Sequence, residues 1–113
     1  MPRKTRRASA PPDDDWRLTN QESFLADALL VRKPYRVYRE EWEHDHCAFC
    51  WAKFMDPTFS EEHRKAIQAD STILVEGYTT TDAHAAGADY HWICPQCFDD
   101  FNERFRFRLS SEA

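Results

Sequence analysis

Apolar positions first recur with helical spacing after Thr19, where Phe24, Leu25, Ala28 and Leu29 fall three or four residues apart. Thr19 and Glu22 stand at capping-box distance, and Pro34 disfavours continuation past Lys33, so the pattern predicts a helix over roughly 20–31. Tyr35, Val37 and Arg39 alternate with Arg36 and Tyr38, which predicts a brief strand. Asp56 and Pro57 break the next segment, and Ser60 is placed to cap a second helix running through Glu61, Ala66, Ile67 and Ala69, with Glu62, His63, Arg64 and Lys65 on its solvated side. Two runs rich in β-branched and aromatic residues follow, Ile73 to Thr80 and Tyr90 to Ile93. The polar loop 81–89 joins them, so they read as a hairpin.

Beyond Cys97, Phe98, Phe101 and Phe105 form a helical stripe, with Asp99 and Asp100 near its N-terminal end. The period then changes to two. Phe105, Phe107 and Leu109 alternate with Arg104, Arg106 and Arg108, which predicts a terminal strand with one apolar and one basic face. The fold class expected is α+β, within a single domain over 16–113.

Charge alters the picture at the N-terminal end. Residues 1–10 carry Arg3, Lys4, Arg6 and Arg7 and no acidic group, and Pro11, Pro12 and three aspartates follow. This composition has too little apolar surface to offset its ordering entropy, so 1–15 is expected to be a disordered tail, dispensable for folding. It also lacks the apolar core of a secretory signal, and no stretch approaches the roughly 20 apolar residues of a membrane span, so a cytoplasmic protein is expected. The chain's net charge is −5, and with four basic groups in the tail the remainder is more acidic still. An acidic body argues against nucleic acid as the main partner, because phosphate binding draws on Lys and Arg.

The candidate chemistry lies in Cys47-Ala48-Phe49-Cys50 and Cys94-Pro95-Gln96-Cys97, two C-x-x-C pairs with 43 residues between them. Each pair can turn two thiolates toward one ion while backbone N–H groups point at the sulfurs, and two pairs complete a tetrahedron. Zinc is the cofactor expected, with Cys47, Cys50, Cys94 and Cys97 as its ligands. A redox pair at Cys94 and Cys97 would leave Cys47 and Cys50 unexplained, and an iron–sulfur cluster uses the same four thiolates. Four sulfur ligands close the shell, whereas catalytic zinc keeps a position open for water. Neutral imidazole also binds zinc, so His44 and His46, directly before Cys47, and His91, three residues before Cys94, stand as replacement or additional ligands. His84, in the loop, is the most exposed candidate for another role.

First knuckle, hairpin, then second knuckle opening a helix: this order resembles a treble-clef zinc finger over roughly residues 44–106. The phrases His44-Asp45-His46-Cys47-Ala48-Phe49-Cys50-Trp51 and Tyr90-His91-Trp92-Ile93-Cys94-Pro95-Gln96-Cys97-Phe98 also resemble a group of small bacterial zinc-binding proteins of uncharacterised activity. Treble-clef proteins include HNH-type nucleases, which this chain matches poorly: Asp82 and His84 are split by Ala83, and the helix offers Asn102 with no histidine after it.

A non-enzymatic, zinc-stapled domain acting by protein–protein contact, as adaptor or as immunity or inhibitor protein, is therefore the function expected. An HNH-like nuclease is the first alternative and a nucleic-acid-binding finger the second. Four tryptophans and eight phenylalanines are many for so small a core. Trp16 and Trp42 are the expected contact residues, and Trp51 and Trp92 are expected to pack inside around the knuckles.

Overall fold

The structure of the chain, a computed structural model, describes residues 11–37 and 44–110. Its described residues build an α+β arrangement of three helices and two small sheets: α1 (Glu22–Leu25), β1 (Leu29–Pro34), β2 (His44–His46), β3 (Lys53–Met55), α2 (Glu61–Ala69), β4 (Glu76–Thr80), β5 (Trp92–Ile93), α3 (Pro95–Phe105) and β6 (Arg108–Leu109). The larger sheet has the order β5-β4-β1-β6, and β2 pairs with β3 in the smaller. β1 runs antiparallel to β4, from Leu30 opposite Thr80 to Pro34 opposite Glu76, and parallel to β6. Two isolated bridges, Cys47 to Trp92 and Phe54 to Leu74, join the small sheet and first knuckle to the rest.

The first expected helix is corrected. α1 ends at Leu25, because Ala26 adopts ψ 132° and Asp27 a left-handed φ of 62°. Thr19 does not cap it; the helix starts from Gln21, whose side chain is turned elsewhere. Leu29, Leu30 and Val31 then form a strand, since pairing on both sides in the sheet outweighs a local period that suits either structure. The strand expected from Tyr35 is also corrected: β1 stops at Pro34, and 35–37 follow it without strand structure. Tyr35 still donates its N–H to the Val75 carbonyl at 2.8 Å, while positions 38 and 39 lie outside the described residues.

α2 forms as the sequence predicts, with the Ser60 hydroxyl accepting the His63 N–H at 3.0 Å. His63 is buried, not solvated; its ring lies 4.7 Å from that of Phe59. The hairpin also forms, as β4 and β5, its loop tied down by Thr80, whose hydroxyl donates to the Gly87 carbonyl and accepts N–H groups from Tyr90 and His91. α3 carries the predicted stripe inward: Phe98, Phe101 and Phe105 are buried.

The terminal strand is shorter than its alternation suggests. α3 continues to Phe105 and closes with Arg106 at φ 56°, the Arg106 and Phe107 N–H groups returning to the carbonyls of Glu103 and Asn102. This is a Schellman closure with arginine in the place glycine usually takes. Only Arg108 and Leu109 then pair with β1, and both are exposed.

The core sits between α3, the large sheet and the first knuckle. Phe49 stacks on Phe101 at 4.8 Å and meets Phe105 edge-on at 5.2 Å; Tyr78 stacks on Phe98 at 3.8 Å; Trp92 packs between Tyr35 and Phe54. No described helix is long and apolar enough to cross a membrane.

Candidate metal centre

Local chemistry brings the first pair into position. The Cys47 N–H donates to the Ala52 carbonyl at 2.8 Å and the Trp51 N–H to the Cys47 carbonyl at 3.1 Å, folding 47–52 into a tight turn. Trp51 closes it with a left-handed φ of 69°. The Ala48 N–H reaches the Trp92 carbonyl at 2.8 Å, which ties the turn to β5. The second pair sits at the start of α3: Cys94 is the N-cap, Pro95 occupies the first turn, where its missing N–H costs nothing, and the Cys97 N–H donates to the Cys94 sulfur at 3.4 Å.

Cys47, Cys50, Cys94 and Cys97 thereby converge, all four Sγ atoms within 4.8 Å of one another. Sulfurs about 2.3 Å from a central tetrahedral ion stand about 3.8 Å apart. Cys50 Sγ and Cys94 Sγ, at 3.6 Å, already match that edge. Cys47, Cys94 and Cys97 are buried and Cys50 is partly exposed. The four cysteines are arranged to bind a metal ion, and the donor set is entirely soft sulfur.

Backbone N–H groups converge on Cys47 Sγ, from Phe49 at 3.4 Å and Cys94 at 3.3 Å. Hydrogen bonds from the Cys94 and Cys97 thiols, joined by the backbone N–H groups of Cys50 and Cys94, outweigh burial and hold the Cys47 thiol down at about 2. The same contact with Cys47 pushes Cys94 up to about 12 and raises Cys97 further, with burial adding to both. A cation among the four sulfurs would favour their thiolate forms.

The histidines take other places. Among the described residues the only metal-competent group of three or more His, Cys, Asp or Glu is the four cysteines. His44 and His46 lie on β2 with rings 5.0 Å apart, and His46 is 6.1 Å from the Trp51 ring. His91 is half-buried among Phe24, His84 and Tyr90. His84 engages the backbone through both ring nitrogens: Nε2 lies 2.6 Å from the Phe24 carbonyl oxygen, and Nδ1 accepts the Ala86 N–H at 2.9 Å. Trp92 is buried as expected and Trp16 is 69% exposed. Trp51 departs from expectation, being 69% exposed as well: its left-handed backbone at the end of the knuckle turns the indole away from the core. Trp42 lies outside the described residues, as do residues 1–10.

Two residues that the sequence does not single out border the site. Gln21, buried, donates from Nε2 to the carbonyls of Arg17 and Ala48 and accepts the Thr19 N–H, pinning the N-terminal segment to the first knuckle. Arg17 donates from one guanidinium nitrogen to Cys97 Sγ at 3.6 Å and to Asp100 Oδ2 at 2.8 Å. An arginine 80 residues from a cysteine leaves no local signature; only the fold joins them.

No family model, curated protein or solved structure matches the chain.

Proposed function

We propose that this chain is a non-enzymatic domain of treble-clef-like build, stapled by one zinc ion, that acts through protein–protein contact as an adaptor or as an inhibitor or immunity protein. The observation that carries this reading is the closed set of four cysteine sulfurs within 4.8 Å. A shell of four thiolates suits zinc in a structural role and leaves no ligand position for a substrate. The order of knuckle, β4–β5 hairpin and a cysteine pair in the first turn of α3 supports the treble-clef likeness. Three buried sulfurs suit structural ligation better than thiol redox chemistry, which draws on an accessible thiolate, and a tetrathiolate site suits a reducing, cytoplasmic setting.

The contact role rests on Trp16 and Trp51, large apolar side chains that the fold leaves in solvent. Tryptophan is favoured at the centres of protein interfaces and is costly to leave exposed. With a net charge of −5, the chain suits a basic partner. His84, bonded to backbone through both nitrogens, suits loop support better than the metal ligation a nuclease would require of it.

Affinity capture with the zinc-loaded wild type and with a Trp16→Ala/Trp51→Ala double variant of equal zinc content tests the reading, together with incubation of the wild type with plasmid DNA and Mg²⁺ or Mn²⁺. A partner held by the wild type and lost by the variant, with the plasmid intact, is the expected result. Plasmid cleavage that disappears in His84→Ala would replace this reading with the nuclease one.

A further inference from the structure

Arg17 is held more elaborately than a surface arginine needs. Its side chain is only 14% exposed, and its Nε and one terminal nitrogen form a fork on the Asp15 carboxylate, at 2.9 and 2.8 Å. The other terminal nitrogen serves Asp100 and the Cys97 sulfur together. The guanidinium lies 4.5 Å from the centre of the Phe101 ring, and Gln96 holds the remaining Asp100 oxygen at 3.1 Å. Two carboxylates and an aromatic face thus fix one planar cation against one ligand sulfur.

A zinc dication with four thiolates carries a net double negative charge, and in a largely buried site that charge needs compensation from the protein. Cys47 draws on backbone amides. Cys97 receives a charged donor instead, one N–H of a guanidinium that Asp15 and Asp100 share.

We propose that Arg17 is an outer-sphere partner of the metal centre, its guanidinium donating a charge-assisted hydrogen bond to the Cys97 thiolate and thereby slowing metal loss. Arg17 is a positioning residue, not a ligand. The proposal rests on the zinc reading above. Lysine would keep the charge but not the fork that lets one side chain hold Asp15, Asp100 and sulfur at once.

The test is the rate at which zinc passes from loaded full-length protein to a chelating dye at fixed pH, for the wild type, Arg17→Met, Arg17→Lys and Asp100→Asn. Arg17→Met is expected to lose zinc about ten- to a hundredfold faster, the usual effect of removing an outer-sphere partner, with Arg17→Lys intermediate. Asp100→Asn leaves every ligand and Arg17 in place but loosens its hold, so it decides the matter should Arg17→Met fail to fold; it too is expected to release zinc faster. In cobalt-substituted protein, the thiolate-to-metal charge-transfer band is expected to move to longer wavelength in Arg17→Met, a change that lost packing alone would not produce. Folded variants with wild-type release rates and an unmoved band would overturn the proposal while leaving the zinc reading intact. A wild type that carries no zinc would overturn both.

Discussion

At the scale of single residues, the side chains that matter most here are held in unusual backbone or electrostatic settings. Trp51 adopts a left-handed φ, which costs an L-residue roughly 1–2 kcal/mol, and its indole gains little burial in return. Trp51→Gly should therefore leave the unfolding free energy from denaturant titration unchanged or raise it by up to about 1 kcal/mol, while weakening partner capture. A loss of stability well beyond that would mean that the indole packs in solution. His91 behaves differently. Burial, then the neighbouring His84, holds its pKa below the ordinary 6.5, so below about that pH the unfolded chain binds a proton that the folded chain refuses. Stability should fall as pH drops from 6.5 toward the lowered value and be free of this effect above 6.5. Urea unfolding between pH 8 and 5.5 should show a shallower fall for His91→Gln; equal slopes would refute the assignment. The clustering of the four cysteines was legible because C-x-x-C spacing carries its own geometry. Arg17 and Gln21 were not, since their roles come from contacts with chain far away in sequence.

At the scale of elements, local signals succeeded where local forces decide. Ser60 caps α2, and the apolar stripe of α3 faces the core because a 3.6-residue period has one solution there. They failed where pairing decides: Leu29 to Val31 fit a helix, yet strands on both sides claim them. The alternation from Phe105 to Leu109 misled for another reason. A helix end, a left-handed arginine and a two-residue strand together imitate period two. Gly77 in β4 offers a sharp test of the sheet. A Cβ there would lie 2.7 Å from a Phe54 ring carbon and 2.8 Å from the Ile93 carbonyl oxygen. The carbonyl belongs to β5, directly before Cys94, and cannot move without disturbing the hairpin. Gly77→Ala should thus cost about 1–3 kcal/mol in thermal or chemical unfolding. A neutral effect would mean that β4 and β5 sit farther apart than described.

At the scale of the whole molecule, the four-cysteine cluster is where separate parts of the chain meet. The first knuckle, β5, the start of α3 and the segment around Arg17 and Gln21 all converge there, and the aromatic core lies against it. A chain of this size buries a modest core, so the energy of a structural zinc, on the order of 10 kcal/mol or more, should decide whether it folds at all. The most direct test is a zinc titration of metal-free protein, kept reduced, followed by circular dichroism. The account predicts a largely unfolded spectrum that becomes native in proportion to added zinc and stops changing at one equivalent per chain. A native spectrum before any zinc is added, unaltered by it, would contradict the claim that these four cysteines hold the fold together.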